Sequence, residues 1–342
     1  MAGNVKEWCL NPAAQGRRCI CGGAEDEPDY TFNHVVTRPP FTRSENIGFR
    51  CAKYFDPPEA ELYERSDSFQ PLHWLSRGDA WEIVRRNFDY DRSLPLSDKV
   101  ISCETEEDGL VHEIIELDTA YGGERFRLHL YTPARLQPPA QTVIYFPGAS
   151  AGNFLSFEDA KYLVDPRNVA AIARTGRVVC WPEYRGTFGR RGRNEDGRQL
   201  FFQRIIDLER AVDYLETRPE VDMKKLGYVG FSWGAGQGCV AGAVEKRLGA
   251  LVLVAGGVSG ASPAVETTEY AYAPLVSAPV LMVNGVYDTF FPVESSQPAL
   301  FELLGSQIKD REKLDRDHDI PPSDIAEQVD RWLSLHFGEI RQ

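Results

Sequence analysis

Nowhere in this 342-residue chain is there a run of apolar residues approaching the roughly 20 needed to cross a bilayer, so no membrane span is read from it. Positive charge is in short supply. The 38 Lys and Arg stand against 51 Asp and Glu, a formal net charge of −13. Such a field repels nucleic acid and anionic membrane surfaces, which excludes both as partners. The opening residues MAGNVKEWCL lack a basic segment followed by an apolar one, so no secretory signal is visible. The seven cysteines are odd in number and scattered. Cys19 and Cys21 form a C-x-C, but no second Cys or His pair follows at zinc spacing, so no metal site is expected. Reduced thiols and a cytoplasmic location are the expectation. Internal repeats and low-complexity segments are also missing.

What is present is a large apolar fraction, 42% of residues, enough for a sizeable core. Residues 1–55 hold few periodic apolar positions and read as an irregular appendage. From 56 the texture changes. Residues 79–90 (DAWEIVRRNFDY) read as a short amphipathic helix, and 112–134 as two strands joined by a hairpin at Tyr121-Gly122-Gly123-Glu124. Strands and helices then alternate. TVIYFP (142–147), RVVCWP (177–182), LGYVGF (226–231), LGALVLVAGG (248–257) and APVLMVNG (278–285) are continuous apolar runs, as strands covered on both faces should be. A helix is expected to end on Gly176. Another spans 204–219, with Ile205, Leu208, Val212 and Leu215 on one face. The closing helix spans 323–338, capped by Ser323 or Asp324. This βαβ alternation predicts an α/β fold with a mostly parallel central sheet and helices on both faces.

Gly230-Phe231-Ser232-Trp233-Gly234 fits G-x-S-x-G. The pattern is a weak signal in a chain with 29 glycines, and its context strengthens it. A strand precedes it and a helix of small residues follows, the setting of a strained turn that lifts a nucleophilic serine above a sheet. Gly234, Gly236, Gly238 and Gly242 would each weaken that helix by about 1 kcal/mol relative to alanine, which makes sense where helix and sheet must approach closely. A serine hydroxyl needs a base, and the order for this arrangement is Ser, acid, His. Only His318 and His336 lie beyond the candidate acids. His336 falls on the apolar face of the closing helix, whereas His318 lies in a polar turn before it. Asp288 follows the next-to-last strand and is the preferred acid over Asp315, Asp317 and Asp319, neighbours of His318 in an exposed charged run. The oxyanion would be met by the backbone N–H of Trp233 and that of Ala149, with Ser150 as the alternative to Ala149.

The segment from about 95 to 338 resembles an α/β-hydrolase of the dienelactone hydrolase and prolyl-oligopeptidase-like group. The resemblance is carried by YFPGAS, PEYRGTFGRRG, YLETRPEVDMKKLGYVGFSWGAG and APVLMVNGVYDTFFPVESSQPALFELLG. It is similar to hydrolase domains at the C-termini of large bacterial proteins with a serine/threonine-kinase region. The resemblance implies an α/β-hydrolase fold with Ser232, Asp288 and His318 as triad. Residues 1–55, through GNVKEWC, GGAEDEPDYTF and RSENIGFRCAKY, resemble the C-terminal part of the formylglycine-generating, sulfatase-modifying domain. That family's redox cysteines have no counterpart after the GG, so no oxidase activity is expected. The division is therefore 1–55 and 56–342, the latter comprising an N-terminal helix and hairpin (56–134) and a catalytic core (135–342).

The function this suggests is a carboxylesterase acting on a small-molecule ester of short or medium acyl length, without a cofactor. A peptidase or other amide hydrolase, or a non-catalytic module of the same fold, are the rivals. Tyr184, Phe188, Tyr287 and Phe290 are the expected substrate-pocket aromatics, with Trp233 and Phe291 near the same mouth. The segment 258–277 is too short for a large lid. Trp8, Tyr30, Phe32, Phe41, Phe49 and Tyr54 need burial, so the appendage is expected to dock on the hydrolase. The stretch GSQIKDREKLDRDH offers only Ile308 and Leu314 to bury, and is either a polar edge strand or a loop. The sequence carries no signal of oligomeric state.

Overall fold

A computed structural model describes residues 5–13, 16–25, 35–51, 53–54, 75, 78–106, 109–190, 196–259 and 264–340. Tyr30, Phe32, the boundary at 55–56 and part of the segment 258–277 lie outside them.

Four short strands come first: β1 (Lys6–Pro12), β2 (Arg18–Cys21), β3 (Val36–Arg38) and β4 (Ile47–Gly48). They form a sheet of their own in the order β3-β2-β1-β4. After helix α1 (Ala80–Arg85) come β5 (Lys99–Thr105), β6 (Leu110–Asp118) and β7 (Arg125–Pro133), an antiparallel meander. Gly122 and Gly123, at φ 77° and 71°, make the β6–β7 turn in a conformation other residues rarely adopt.

The alternating part then runs β8 (Ala140–Phe146), α2 (Asp165–Ala173), β9 (Val178–Pro182), α3 (Gly197–Glu216), β10 (Val221–Phe231), α4 (Trp233–Val244), β11 (Ala250–Val254), β12 (Val280–Gly285), α5 (Ser296–Leu303), β13 (Lys309–Leu314) and α6 (Pro322–Phe337). The nine-stranded sheet has the order β13-β12-β11-β10-β8-β9-β7-β6-β5. Pairing is parallel from β13 to β9 and antiparallel from β9 to β5. Every residue of β8, β9, β11 and β12 is buried, as the continuous apolar runs require.

Helix boundaries differ from expectation in instructive ways. Helix α3 starts at Gly197 because the Asp196 side chain accepts from Arg198 N–H, a cap upstream of the apolar periodicity. Helix α6 is preceded by Pro321; Ser323 and Asp324 lie inside its first turn, where Pro322 has no N–H to lose. The polar stretch before His318 is a strand, β13, paired in parallel with β12 from Lys309 to Leu314. A charged sequence suits that position, because an edge strand rich in charge resists pairing with another chain.

Among the described residues, the N-terminal sheet meets the loops that follow β12 and β13. Phe41, Phe49 and Tyr54 are exposed, Phe41 at 92%, and Trp8 is only half-buried. Two arginines make contacts there: Arg38 pairs with Asp317, and the Arg17 guanidinium lies 4.0 Å over the Tyr287 ring. A four-stranded sheet of such short strands has little area under which to bury the described rings.

Candidate active site

Ser232 sits between the last residue of β10 and the first of α4. Its backbone has φ 54° and ψ −106°, a region costly to a residue with a Cβ. The surrounding structure holds it there. Its N–H donates to Val254 O at 2.8 Å, and buried Tyr228 Oη donates to Gly234 O at 2.6 Å. Glycine is demanded on either side. A Cβ on Gly230 would fall 2.1 Å from Gly234 O, and one on Gly234 would fall 2.3 Å from Phe146 O. Further along α4, a Cβ on Gly238 would meet Leu253 at 2.4 Å and one on Gly242 would meet Leu251 at 2.8 Å. The glycines of this helix bring it against the sheet.

The loops after β12 and β13 bring the other two residues to Ser232. His318 Nε2 is 2.9 Å from Ser232 Oγ, and His318 Nδ1 is 2.9 Å from Asp288 Oδ2. A carboxylate only accepts, so Nδ1 carries the hydrogen and Nε2 is left to accept from the serine hydroxyl. The other Asp288 oxygen accepts from Phe290 N–H at 2.8 Å and Phe291 N–H at 3.0 Å, which fixes the carboxylate plane. Asp288 is buried and the His318 side chain largely so. Burial favours neutral imidazole. The Asp288 carboxylate, by its charge and hydrogen bond, together with Asp319 and Asp317, outweighs burial and raises the His318 pKa. His336 is remote from this group; it packs edge-on to Trp332, with burial lowering its pKa.

Trp233 begins α4, and Ala149 begins a 3-10 helix at Ala149–Asn153. As first residues of their helices, their N–H groups have no intrahelical acceptor. Both residues line one cavity of about 460 Å³ with Ser232 and His318. Gly148, just before Ala149, passes tightly against Phe231, where an added Cβ would lie at 3.2 Å.

The expected pocket aromatics divide. Phe290 lines the cavity and stacks on His318 with centroids 4.5 Å apart; Phe291 lines it too. Tyr184 does not reach it. Its ring stacks on Phe146 at 4.0 Å and its hydroxyl donates to Tyr145 O, fully buried. Phe188 is likewise a core residue, packed on Phe157 and Trp181. The loop after β9 is pulled inward by Phe188 N–H on Ala151 O and Thr187 N–H on Tyr184 O, so these rings fill space beneath the mouth. Tyr287 faces a separate crevice, with Arg17 above it.

Two acidic residues of this site escaped the sequence reading. Asp165, buried at the start of α2, accepts from Gly148 N–H at 3.1 Å and Tyr145 Oη at 2.7 Å, tying down the loop that carries Ala149. Glu269 lines the cavity and accepts from Gln237 Nε2 at 3.0 Å; burial raises its carboxyl pKa against those hydrogen bonds. Neither belongs to a motif. The Asp-Pro at the head of α2 was the only sequence signal, and it reads equally well as an ordinary helix start.

Residues 169–312 match the dienelactone hydrolase family, a span that takes in Ser232 and Asp288 and ends within β13, short of His318. No curated protein matches the chain by sequence. Among solved structures, acetyl xylan esterase 1 from Thermoanaerobacterium sp. JW/SL YS485 is similar at 18% identity and TM-score 0.58, over 83% of this chain and 100% of that one. The acetyl xylan esterase from Paenibacillus sp. R4 is similar at 17% identity and TM-score 0.58, over 75% and 93%. A glucuronoyl esterase from Solibacter usitatus is similar at 16% identity and TM-score 0.55, over 79% and 95%. The sheet order, the strand–Ser232–helix turn and these likenesses together make the fold that of the α/β-hydrolases, with a dienelactone hydrolase family match at its centre.

Proposed function

We propose that this chain is a serine carboxylic ester hydrolase in which Ser232, His318 and Asp288 act as nucleophile, general base and orienting acid. The observation that carries the reading is the hydrogen-bonded chain Ser232 Oγ–His318–Asp288 on a strained strand-to-helix turn. Ser232 Oγ attacks the ester carbonyl as its proton passes to His318 Nε2. Asp288 stabilises the imidazolium without taking the proton. The amides of Trp233 and Ala149 receive the oxyanion, the first with help from the N-terminal dipole of α4. His318 then protonates the leaving alcohol, and a water activated by the same nitrogen releases the acid. Each step falls to a side chain or amide of the chain itself.

The substrate is a small ester of short acyl length. A cavity of about 460 Å³ bordered by Trp233, Phe290 and Phe291 supports this, as do the named activities of the acetyl xylan and glucuronoyl esterases of the same fold. Residues 1–55 form a unit of their own, a reading supported by the separate pairing of β1 to β4 and by the resemblance to a sulfatase-modifying domain.

The test is a panel of p-nitrophenyl esters of rising chain length beside an amide, with fluorophosphonate labelling. Short esters should turn over fastest, and the label should sit on Ser232. Ser232→Ala should lower kcat by at least about 10⁴-fold. Retained ester turnover in Ser232→Ala would sink the assignment, and preferred cleavage of the amide would make this a peptidase instead.

A further inference from the structure

Two arginines of the N-terminal sheet reach across to the residues immediately before the acid and the base of the proposed triad. The Arg17 guanidinium covers Tyr287, whose neighbour is Asp288. Arg38 pairs with Asp317, whose neighbour is His318. Both arginines are aimed from one buried point. Arg17 donates to Thr37 Oγ1 at 3.1 Å and to Thr37 O at 2.8 Å, and Arg38 donates to Thr37 O at 3.1 Å. The carboxylate that Arg38 grips has its other oxygen in use: Asp317 Oδ1 accepts from Asp319 N–H at 3.1 Å, so one side chain spans the turn that presents His318.

The two gripped loops also touch each other. Tyr287 N–H donates to Arg316 O at 2.9 Å. Gly285 passes so close that an added Cβ would lie 2.2 Å from Asp317 O. Lys6, Val36 and Arg38 line the same cavity as Ser232 and His318, so the sheet forms one of its walls.

We propose that Arg17 and Arg38 are positioning residues for the triad, clamping the acid-bearing and base-bearing loops, so that the N-terminal sheet completes the active site. The proposal rests on the hydrolase reading above. A part-exposed pair such as Arg38–Asp317 adds little to global stability, being partly screened by water. Its effect belongs in the placement of His318, where a displacement of about 1 Å can lower a rate by about 100-fold.

Charge supplies a readout that mere structural support would not move. The charged groups around His318 are Asp288 from the loop after β12, Asp317 and Asp319 beside it, Arg38 from β3, Arg17 within reach of Asp317, and Lys6, Asp165 and Glu269 in the lining of the same cavity. Arg316 in the same turn is occupied by Asp324. Removing the Arg38 cation leaves Asp317 with only the more distant Arg17 to offset it, which favours imidazolium and moves the acid limb of kcat/KM to higher pH. Removing the Asp317 carboxylate leaves Arg38 uncompensated and moves that limb to lower pH.

The experiment is ester kinetics across pH on the full chain with Arg17→Ala, Arg38→Ala, Arg38→Lys and Asp317→Asn, beside Ser232→Ala. Each Ala variant should lower kcat by about 10- to 100-fold with little change in melting temperature. Arg38→Lys should recover part of the loss, and the limb should move in opposite directions in Arg38→Ala and Asp317→Asn. Should Arg38→Ala fail to fold, Asp317→Asn carries the test alone through its lower kcat and downward limb. Values of kcat within about twofold of the parent in both Ala variants would overturn the proposal. So would a loss in Arg38→Ala that Arg38→Lys shares in full while the limb stays fixed. Turnover surviving in Ser232→Ala would instead strike the hydrolase reading beneath it.

Discussion

The described residues form two sheets held in place by different physics. In the nine-stranded sheet, four strands are buried at every residue and α4 is brought so close that glycine is needed at Gly234 and Gly238. In the four-stranded sheet most residues are half-exposed, and Phe41 and Phe49, beside its strands, stand in solvent. The first is fixed by burial and close packing, which tolerate little displacement. The second touches the first through an ion pair and a guanidinium over a ring, contacts worth little in stability yet specific in direction. The larger sheet thus places Ser232, and the smaller one touches the loops of Asp288 and His318.

The contrast is most severely tested in the core. Leu253, fully buried in β11 against α4, should cost about 2–5 kcal/mol when changed to Ala, read from denaturant midpoints. A loss below about 1 kcal/mol would mean that the joint between α4 and the sheet can collapse to fill the space. Next in size is the pH response. In the proposed mechanism His318 must be neutral to accept the serine proton, and its pKa is raised, so activity should fall on the acid side by about tenfold per pH unit. The fall should set in above the ordinary histidine value of about 6.5. An acid limb below that value would show that burial, rather than Asp288, governs the imidazole. The smallest effect belongs to the exposed rings. Phe41→Ser should change stability by less than about 0.5 kcal/mol in the same denaturant assay. A larger loss would reveal that Phe41 is covered in solution and that the smaller sheet has an apolar contact of its own.

Much of the alternating fold was legible because strands buried on both faces must be written as uninterrupted apolar runs, and β8, β9, β11 and β12 are. Ser232 was legible for a related reason: a turn this tight allows only glycine at Gly230 and Gly234, and that demand is local. His318 was harder, because the strand before it, β13, lies at the edge and is polar. Its choice over His336 came from chain order. Tyr184 and Phe188 were misplaced because an aromatic ring suits a pocket wall and a core equally, and only the inward hydrogen bonds of their loop distinguish the two.

By itself, then, the sequence determined the elements whose causes lie within a few residues, apolar runs and glycine-bounded turns, and it offered Ser232, Asp288 and His318 in chain order as candidates. Tertiary structure alone decided what joins residues far apart in the chain. It put Arg38 on Asp317, 279 positions away, and Arg17 over Tyr287. It set Asp165 under the loop of Ala149 and Glu269 in the cavity wall. Part-exposed arginines and isolated acids carry no periodicity that marks a partner. Their pairing is settled by where the packed core leaves them, and that depends on the whole fold.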